Sequence, residues 1–277
     1  MIRAGILFFL FFPVGLCAQT FQSSQTTVSR AFLQLGNRER DRIFTDYSNL
    51  YNQNNVKNFG VALLGAGVMA NTKIDGNFQR WYFRHDIMES DENDMNKMIS
   101  GISKTFGEGA IFIPVTVASA FTYRFFQEKQ GLSECCLGEF ADRTMRGYFV
   151  GFPTLLVAQS VLGGGRPGEG SYWRPFRQNH GVSGHAFIGA IPFMTAAQMT
   201  DKPCVKGLFY VLSALPAWSR VNDDAHYLSQ SLLGWYLAYL SVRAVSETEE
   251  RRTLPRGLTI FPVSGGGSVG VGLHYQF

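Results

Sequence analysis

The sequence predicts an all-α protein, a bundle of six helices with a short C-terminal β-hairpin. Six apolar segments, separated by charged or glycine- and proline-containing stretches, lie between residues 57 and 245, and each is long enough for a helix. Hydrophobic residues make up 45% of the 277 residues and charged residues only 17%, below the usual ~25%. This composition favours a large apolar core or a membrane-facing surface and argues against disorder over the whole chain.

The first eighteen residues have the pattern of a secretory signal peptide. Arg3 precedes an apolar run from Ala4 to Leu16, and Ala18 offers a small residue for cleavage. We expect cleavage after Ala18 and export. A retained membrane anchor is the alternative, although the run is shorter than the ~20 residues of a spanning helix. Residues 19–56 are polar and predict a surface helix with irregular flanks.

The main helical domain is predicted over residues 57–250, where all six predicted helices lie. These helices span residues 57–71, 109–126, 147–164, 184–199, 206–218 and 227–245. Small residues are frequent in several of them, as between Gly60 and Ala70, which lets helix backbones approach closely. None is an uninterrupted apolar 20-mer. We expect a bundle embedded in or bound to a membrane, with a soluble periplasmic bundle as the alternative.

Two stretches outside these helices have a different character. The linker 72–106 is acidic around residues 89–94 and predicts a solvated or interfacial excursion. In the tail, residues 251–277, two alternating segments flank the sequence Ser264-Gly-Gly-Gly-Ser268. That pattern predicts a β-hairpin with a glycine turn.

The number of cysteines and the net charge limit which disulfides, metals and partners are expected. Cys135, Cys136 and Cys204 remain after the predicted cleavage, and an odd number allows at most one disulfide. Adjacent Cys135 and Cys136 lack the spaced pairs of a zinc site, so we expect buried thiols and no metal. The net charge is only +4 and the basic residues are dispersed, so no nucleic-acid partner is expected. No segment identifies a protein partner.

Three separated stretches place polar residues at the ends of predicted helices. They are Gly-Gly-Gly-Arg-Pro at 163–167, Val-Ser-Gly-His at 182–185, and Ser-Arg-Val-Asn-Asp-Asp-Ala-His at 219–226. An up-and-down bundle can bring these three helix ends to one face. The spacing therefore predicts a single pocket.

The residue types in that pocket suit a tetrahedral oxyanion. Arg166 and Arg220 offer forked donors that match phosphate oxygens, and Ser183 opens a helix whose N–H groups favour an anion. His185 and His226 supply a nitrogen nucleophile and an acid for a departing alkoxide, because imidazole titrates near neutral pH. The residues alone leave these two roles interchangeable.

The order Arg-Pro, Ser-Gly-His, Ser-Arg-x5-His within residues 159–230 resembles the three-part signature of the phosphatidic acid phosphatase type 2 superfamily, which includes vanadate-dependent haloperoxidases. The resemblance implies a six-helix core and metal-independent hydrolysis of phosphate monoesters through a phosphohistidine, without a cofactor. It implies that His226 is the nucleophile and that His185 protonates the leaving group. The phosphoryl oxygens would be held by Arg166, Ser183, Gly184 and Arg220.

Three positions depart from that signature. Gln159 stands where the family has Lys, Gln230 where it has Asp, and Val182 where it has Pro. The first change removes a positive charge from the phosphate site. The second leaves an amide that can orient a histidine ring but cannot supply the charge that stabilises an imidazolium. Asp223 or Asp224 is a candidate to compensate.

For two further residues near Ser183, the sequence leaves open whether they belong to the pocket. Trp173-Arg174-Pro175 is a second Arg-Pro, so Arg174 is a further candidate phosphate ligand, although Arg166 is favoured. His180 can line the pocket or lie on a surface loop, and the surface position is favoured because a loop histidine is commonly exposed.

These inferences converge on a phosphatase of the cell envelope. Its substrate would be a lipid phosphate if the bundle is embedded in a membrane, or a small phosphate ester if it is not. One alternative is a haloperoxidase-like enzyme that binds vanadate, against which the missing lysine argues. The other is a non-catalytic anion-binding or structural envelope protein, in which Gln159 and Gln230 mark lost catalysis.

Overall fold

The computed structural model describes residues 40–85, 94–130, 135–253, 259–265 and 268–274. The predicted signal peptide and most of the polar N-terminal segment lie outside these residues. Within them the chain forms nine helices and one β-hairpin. The helices are α1 (40–50), α2 (Gln53–Asn71), α3 (Ile74–Arg84), α4 (Asp94–Gly107), α5 (Gly109–Gln130), α6 (Cys136–Leu162), α7 (Gly184–Gln198), α8 (Pro203–Asn222) and α9 (Leu228–Thr253).

The predicted all-α fold is confirmed, and all six predicted helices are present as α2 and α5 to α9. The linker 72–106 was not correctly predicted, because it contains α3 and α4 rather than a solvated excursion. Both helices pack on the bundle, α4 against α7 and α8, and α3 against α2 and α9. A search for apolar segments did not detect them because their apolar residues are interspersed with polar ones. Polar side chains also make several of the contacts between α3 and the bundle.

Helix α7 lies at the centre of the bundle, in contact with α4, α6, α8 and α9. Its sequence is apolar on every side, and Phe187, Ile191 and Met194 are completely buried. Gly151 of α6 allows a close approach to α7: a Cβ atom there would lie 2.5 Å from the Phe187 ring. The helix that begins with the Ser-Gly-His stretch is therefore held rigidly from several sides.

A network of buried ion pairs joins α1, α5, α6 and α9 at the end of the bundle away from the three motif stretches. Arg146, which is completely buried, donates to both carboxylate oxygens of Asp46 (2.7 and 2.8 Å) and to Glu249. Arg42 also donates to Glu249 (2.7 Å), while Arg124 donates to Asp142, which accepts from Arg146 as well. These pairs explain why α6 begins far upstream of the predicted residue 147, in a charged segment.

Large apolar side chains are exposed on the outer faces of three helices. On α2, α6 and α8 they are Val61, Leu64, Val68, Leu156, Val157, Val161, Leu208 and Val211. In the part of the chain that the structure describes, no helix by itself has the length and apolar character needed to cross a membrane. Lys97–Gly107 and Phe112–Gln127 meet both criteria only as a pair, with a bend of 52° between them.

The tail forms the predicted hairpin. Strands β1 (Thr259–Gly265) and β2 (Ser268–His274) pair antiparallel, with Thr259 opposite His274 and Gly265 opposite Ser268. The prediction of buried cysteines is wrong, because Cys135, Cys136 and Cys204 are all free and exposed. Each lies at the start of a helix, α6 or α8, where the chain reaches the surface.

The ion network makes a testable prediction about stability. Arg146→Met removes the shared partner of three buried carboxylates and should lower the free energy of unfolding by about 3–5 kcal/mol. Arg243→Met is the matched control, since this arginine also pairs with a carboxylate on its own helix (Glu247, 3.3 Å) but is exposed. The control should lose less than about 1 kcal/mol. Urea unfolding measures both, and equal losses would contradict a special role for the buried network.

Candidate active site

The structure brings the three motif stretches together at one end of the bundle. The main-chain N–H of Ser183 donates to the carbonyl of Gln230 (3.0 Å), which ties the start of α7 to the start of α9. The side-chain Nε2 of Gln230 donates to the carbonyl of Gly165 (2.7 Å), in the loop that follows α6. The ends of α6 and α8 and the starts of α7 and α9 thus surround one site.

Local sequence explains how two of these helix ends are shaped. Helix α6 stops at Gly163, which has a left-handed φ of 59° and donates its N–H to the Gln159 carbonyl (3.1 Å). A Cβ atom at Gly163 would lie 2.0 Å from the carbonyl oxygen of Arg174, so only glycine fits. Ser183 caps α7 by accepting from the N–H of Ala186 (3.3 Å). The N-terminus of α7, a favourable place for an anion, therefore begins at the site.

Gln230 is the buried residue that connects the stretches. Its Nε2 group donates to the Gly165 carbonyl, and its Oε1 atom accepts from the N–H of Tyr227 (3.2 Å). The same Oε1 lies 2.9 Å from Nδ1 of His226. Because a carbonyl requires a donor and an N–H requires an acceptor, these neighbours determine which way the amide points.

The orientation of Gln230 determines the tautomer of His226. Since Oε1 only accepts, Nδ1 of His226 must carry the proton, which leaves the lone pair on Nε2. Burial lowers the pKa of His226 to about 4. The charges of Arg220 and Arg166 also lower it, whereas the hydrogen bond to Gln230 raises it. At neutral pH the ring is therefore neutral, with an unprotonated Nε2 of the kind that a nucleophile requires.

Two arginines lie within electrostatic range of this ring. Arg220 is buried and donates to Asp223 (2.6 Å), whose other carboxylate oxygen accepts from Ser100 of α4 (2.6 Å). The Nε atom of Arg220 is buried without a hydrogen-bond partner among the described residues. Arg166 is exposed, and its main-chain N–H is bonded to Glu169. A buried guanidinium with an unused donor and an exposed one at the entrance suit an anionic ligand.

His185 approaches the same arginines from α7. Burial lowers its pKa, as does the charge of Arg220, whereas Glu108 raises it. The end of α4 lies against this residue: a Cβ atom at Gly107 would be 2.8 Å from the carbonyl oxygen of His185. This close contact places Lys104 and Glu108 near the His185 ring, so α4 and the residue that follows it contribute charges to the site.

Comparison with known families agrees with this arrangement. Residues 152–254 match the family model described as the PAP2 superfamily. This part of the chain belongs to the PAP2 superfamily. The match begins within α6 and runs to the end of α9, so it includes all three motif stretches. Neither a curated protein nor a solved structure matches the chain.

The positions that differ from the PAP2 signature have structural uses here. Gln159 donates to the carbonyl of Val182 (3.0 Å), and so its amide supports the Ser-Gly-His stretch. Neither aspartate compensates for Gln230 at His226, because Asp223 pairs with Arg220 and Asp224 accepts from Gln79 of α3. The two glutamines therefore hold loops together without adding charge to the site.

The structure also shows where Arg174 and His180 lie, the two further candidates near Ser183. Arg174 is exposed, and its main-chain N–H donates to the Gly163 carbonyl (3.2 Å). Its backbone therefore packs against the glycine that ends α6. The charge of Arg166, by contrast, lowers the pKa values of His185 and His226, and Arg166 remains the favoured candidate phosphate ligand. His180 differs from expectation: it is half-buried, and its ring centroid lies 6.0 Å from that of His226.

Helix α3 also contributes to the site, although it was not predicted and lies outside the part that matches the PAP2 superfamily. Three residues on one face of α3 contact the segment that carries Arg220 and His226. Their hydrogen bonds are Asp75 with Ser229, Gln79 with Asp224, and Tyr82 with Asn222. The spacing of residues 75, 79 and 82 is that of one helix face and was the available signal. Helix α3 thus holds the loop that positions the nucleophile candidate.

Gln230→Met tests the connecting role of the amide. The change leaves the Gly165 carbonyl and the Tyr227 N–H buried without their partners, at about 1–3 kcal/mol each, so we expect a loss of at least about 2 kcal/mol in unfolding free energy. Gln198→Met is the control, because Gln198 is half-buried and its amide donates only to the Tyr210 hydroxyl (2.7 Å). The control should lose about 1 kcal/mol. Similar losses of unfolding free energy for the two variants, measured by urea unfolding, would contradict the connecting role of the Gln230 amide.

The low pKa of His226 predicts a pH-dependent stability. The folded value of about 4 lies below the reference value of 6.5, so the unfolded chain binds the proton more tightly. The resulting stability is complete above about pH 6.5 and is lost as the pH falls toward 4. Between pH 7 and 4 the wild type should lose about 3 kcal/mol more than His226→Gln. Urea unfolding at both pH values measures the difference, and parallel losses would contradict it.

Proposed function

We propose that this protein is a metal-independent phosphatase that cleaves phosphate monoesters through a phosphohistidine on His226. One observation carries the proposal: a buried, neutral imidazole, with Nδ1 bonded to an acceptor and Nε2 unprotonated, lies within range of two arginines and a helix N-terminus. Those are the components that attack on a phosphoryl group requires. Membership of residues 152–254 in the PAP2 superfamily supports the same reaction class.

In the first step the anion is held by Arg166, Arg220, the Ser183 hydroxyl and the main-chain N–H of Gly184. Nε2 of His226 attacks phosphorus, and the bond from phosphorus to the ester oxygen breaks. His185 gives its proton to that oxygen, so the alcohol leaves neutral.

In the second step water attacks the phosphohistidine, and His185, now neutral, accepts the water proton. The bond from Nε2 to phosphorus breaks, inorganic phosphate leaves and both histidines return to their starting states. Because burial and Arg220 lower the pKa of His185, the acid form needed for the first step is more abundant in weakly acidic solution. This property fits an acid phosphatase.

Gln230 has a consequence for the rate. The phosphohistidine carries a positive charge on the imidazole ring, and an amide oxygen stabilises that charge less than a carboxylate does. We therefore expect slower turnover than in an enzyme with aspartate at this position.

The preferred substrate class is a lipid phosphate in the cell envelope. An apolar cavity of about 310 Å³ lies among α1, α2, α6 and α9, and Phe59, Leu63 and Leu237 are among its lining residues. Helix α2 also reaches the active-site loop, since the hydroxyl of Ser171 donates to the Ala70 carbonyl (2.8 Å). Together with the exposed apolar side chains of α2, α6 and α8, the cavity favours an acyl-bearing substrate at a membrane surface. A small soluble phosphate ester is the alternative.

A non-catalytic anion-binding protein is the second candidate function. Gln159 and Gln230 favour it, because both amides are engaged with main-chain carbonyls and bring no charge to the phosphate site. Such a protein would bind phosphate without turnover.

Phosphate release distinguishes the two candidates. The wild type, His226→Ala and the control His85→Ala should be assayed with a lipid phosphate in vesicles and with soluble phosphate esters, all in the presence of chelator. His85 is an exposed histidine at the end of α3. We expect chelator-resistant release that His226→Ala abolishes and His85→Ala retains, with the lipid as the better substrate. Phosphate binding without release from any substrate between about pH 5 and 8 would favour the non-catalytic function.

A further inference from the structure

A third imidazole, that of His180, lies beside His226 in the active site. The two ring centroids are 6.0 Å apart, and the ring planes meet at 71°. The main chain holds the residue in place, because the N–H of His180 donates to the carbonyl of Gly164 (3.1 Å). The next residue packs tightly, since a Cβ atom at Gly181 would lie 2.6 Å from the Cβ of Leu162. The half-buried ring of His180 is therefore attached to a main chain that is held in place.

The ring of His180 is available for a ligand. Neither of its nitrogens has a hydrogen-bond partner among the residues that the structure describes, whereas Nδ1 of the neighbouring His226 is bonded to Gln230. Its charged neighbours are Arg166 and Glu169, which belong to the same loop, and its titratable neighbour is His226. All of these surround the place where the anion would bind.

The charges of the site leave a dianion incompletely compensated. Arg220 is paired with Asp223 (2.6 Å), so part of its charge is already neutralised. Arg166 has Glu169 beside it, with the carboxylate bonded to its main-chain N–H (3.0 Å). Gln159 is neutral and is bonded to the Val182 carbonyl. A bound dianion would therefore favour an additional cationic donor, and an imidazole beside it is the group best able to gain a proton.

We propose that His180 is an anion-binding residue of this site, whose imidazolium form donates a hydrogen bond to an oxygen of a bound tetrahedral dianion next to His226. The inference rests on the anion site of the proposed function, and it adds a specific ligand that is charged only in part of the pH range. It makes the affinity for phosphate-like dianions a function of pH.

The direction of the pH dependence follows from linkage. Burial and the charge of Arg166 lower the pKa of His180 in the free protein, whereas Glu169 raises it. A dianion stabilises the imidazolium, so binding must raise this pKa, and the proton must in turn strengthen binding. The contribution of His180 to affinity is complete below its pKa in the free protein and is lost as the pH rises through its pKa in the complex.

Sulfate is a suitable probe, because it is a tetrahedral dianion whose charge stays constant from about pH 5 to 8, the range in which imidazole titrates. Calorimetry would compare sulfate affinity in the wild type, in His180→Gln and in the control His85→Gln. We expect the wild type to bind about tenfold more tightly than His180→Gln near pH 5, the effect of one charge-assisted hydrogen bond. Near pH 8 the two should bind equally, and His85→Gln should match the wild type throughout.

The ratio of affinities isolates His180, because His185 and His226 titrate in both proteins. A ratio that is the same at both pH values would mean that His180 only supports the fold, and it would overturn the inference while leaving the phosphatase proposal in place. If no protein binds sulfate, the inference also fails, and phosphate release still tests the phosphatase proposal separately.

NMR of the wild type gives a second readout that does not depend on how well the variant folds. In protein with ¹⁵N-labelled histidine, the pKa of the His180 ring should rise when sulfate saturates the site. An unchanged pKa in the sulfate complex would overturn the inference.

Discussion

The buried amide of Gln230 is the interaction on which the rest of the site depends. An amide has both donors and an acceptor, so one side chain can bond to the Gly165 carbonyl and to the Tyr227 N–H at once. A carboxylate in the same place would turn an oxygen toward the Gly165 carbonyl, which would be repulsive. The amide therefore joins the loops and directs Nε2 of His226, but without the negative charge that would stabilise an imidazolium.

Around this amide, rigidity comes from two unlike regions of the bundle. Helix α7 is surrounded by apolar contacts, so the Ser183 cap and His185 at its start have little freedom. At the other end, buried arginines and carboxylates join α1, α5, α6 and α9. A buried charge that loses its partner is costly, and this cost selects one arrangement of those helices. The polar face of α3 completes the support by holding the loop between α8 and α9.

How much could be predicted depends on the type of contact. The apolar segments and the Arg-Pro, Ser-Gly-His and Ser-Arg-x5-His stretches indicated α2, α5 to α9 and the PAP2 superfamily, because hydrophobic periodicity and short motifs are local properties. Helices α3 and α4 were missed because a search for apolar segments does not detect helices that contact the bundle through polar pairs, such as Gln79 with Asp224. The exposure of Cys135 and Cys204 was missed for a related reason, since burial depends on what packs against a helix start.

The sequence by itself determined the helical class of this protein, the helix ends that carry its arginines and histidines, and the absence of charge at positions 159 and 230. Only the tertiary structure decided that Gln230 directs the tautomer of His226, that Arg166 lies close enough to lower the pKa of His185, and that His180 lies beside His226. The physical reason is the separation along the chain of the residues that determine each property. Helix formation and capping depend on residues within a few positions, whereas a tautomer or a pKa depends on atoms that only folding brings within a few ångströms.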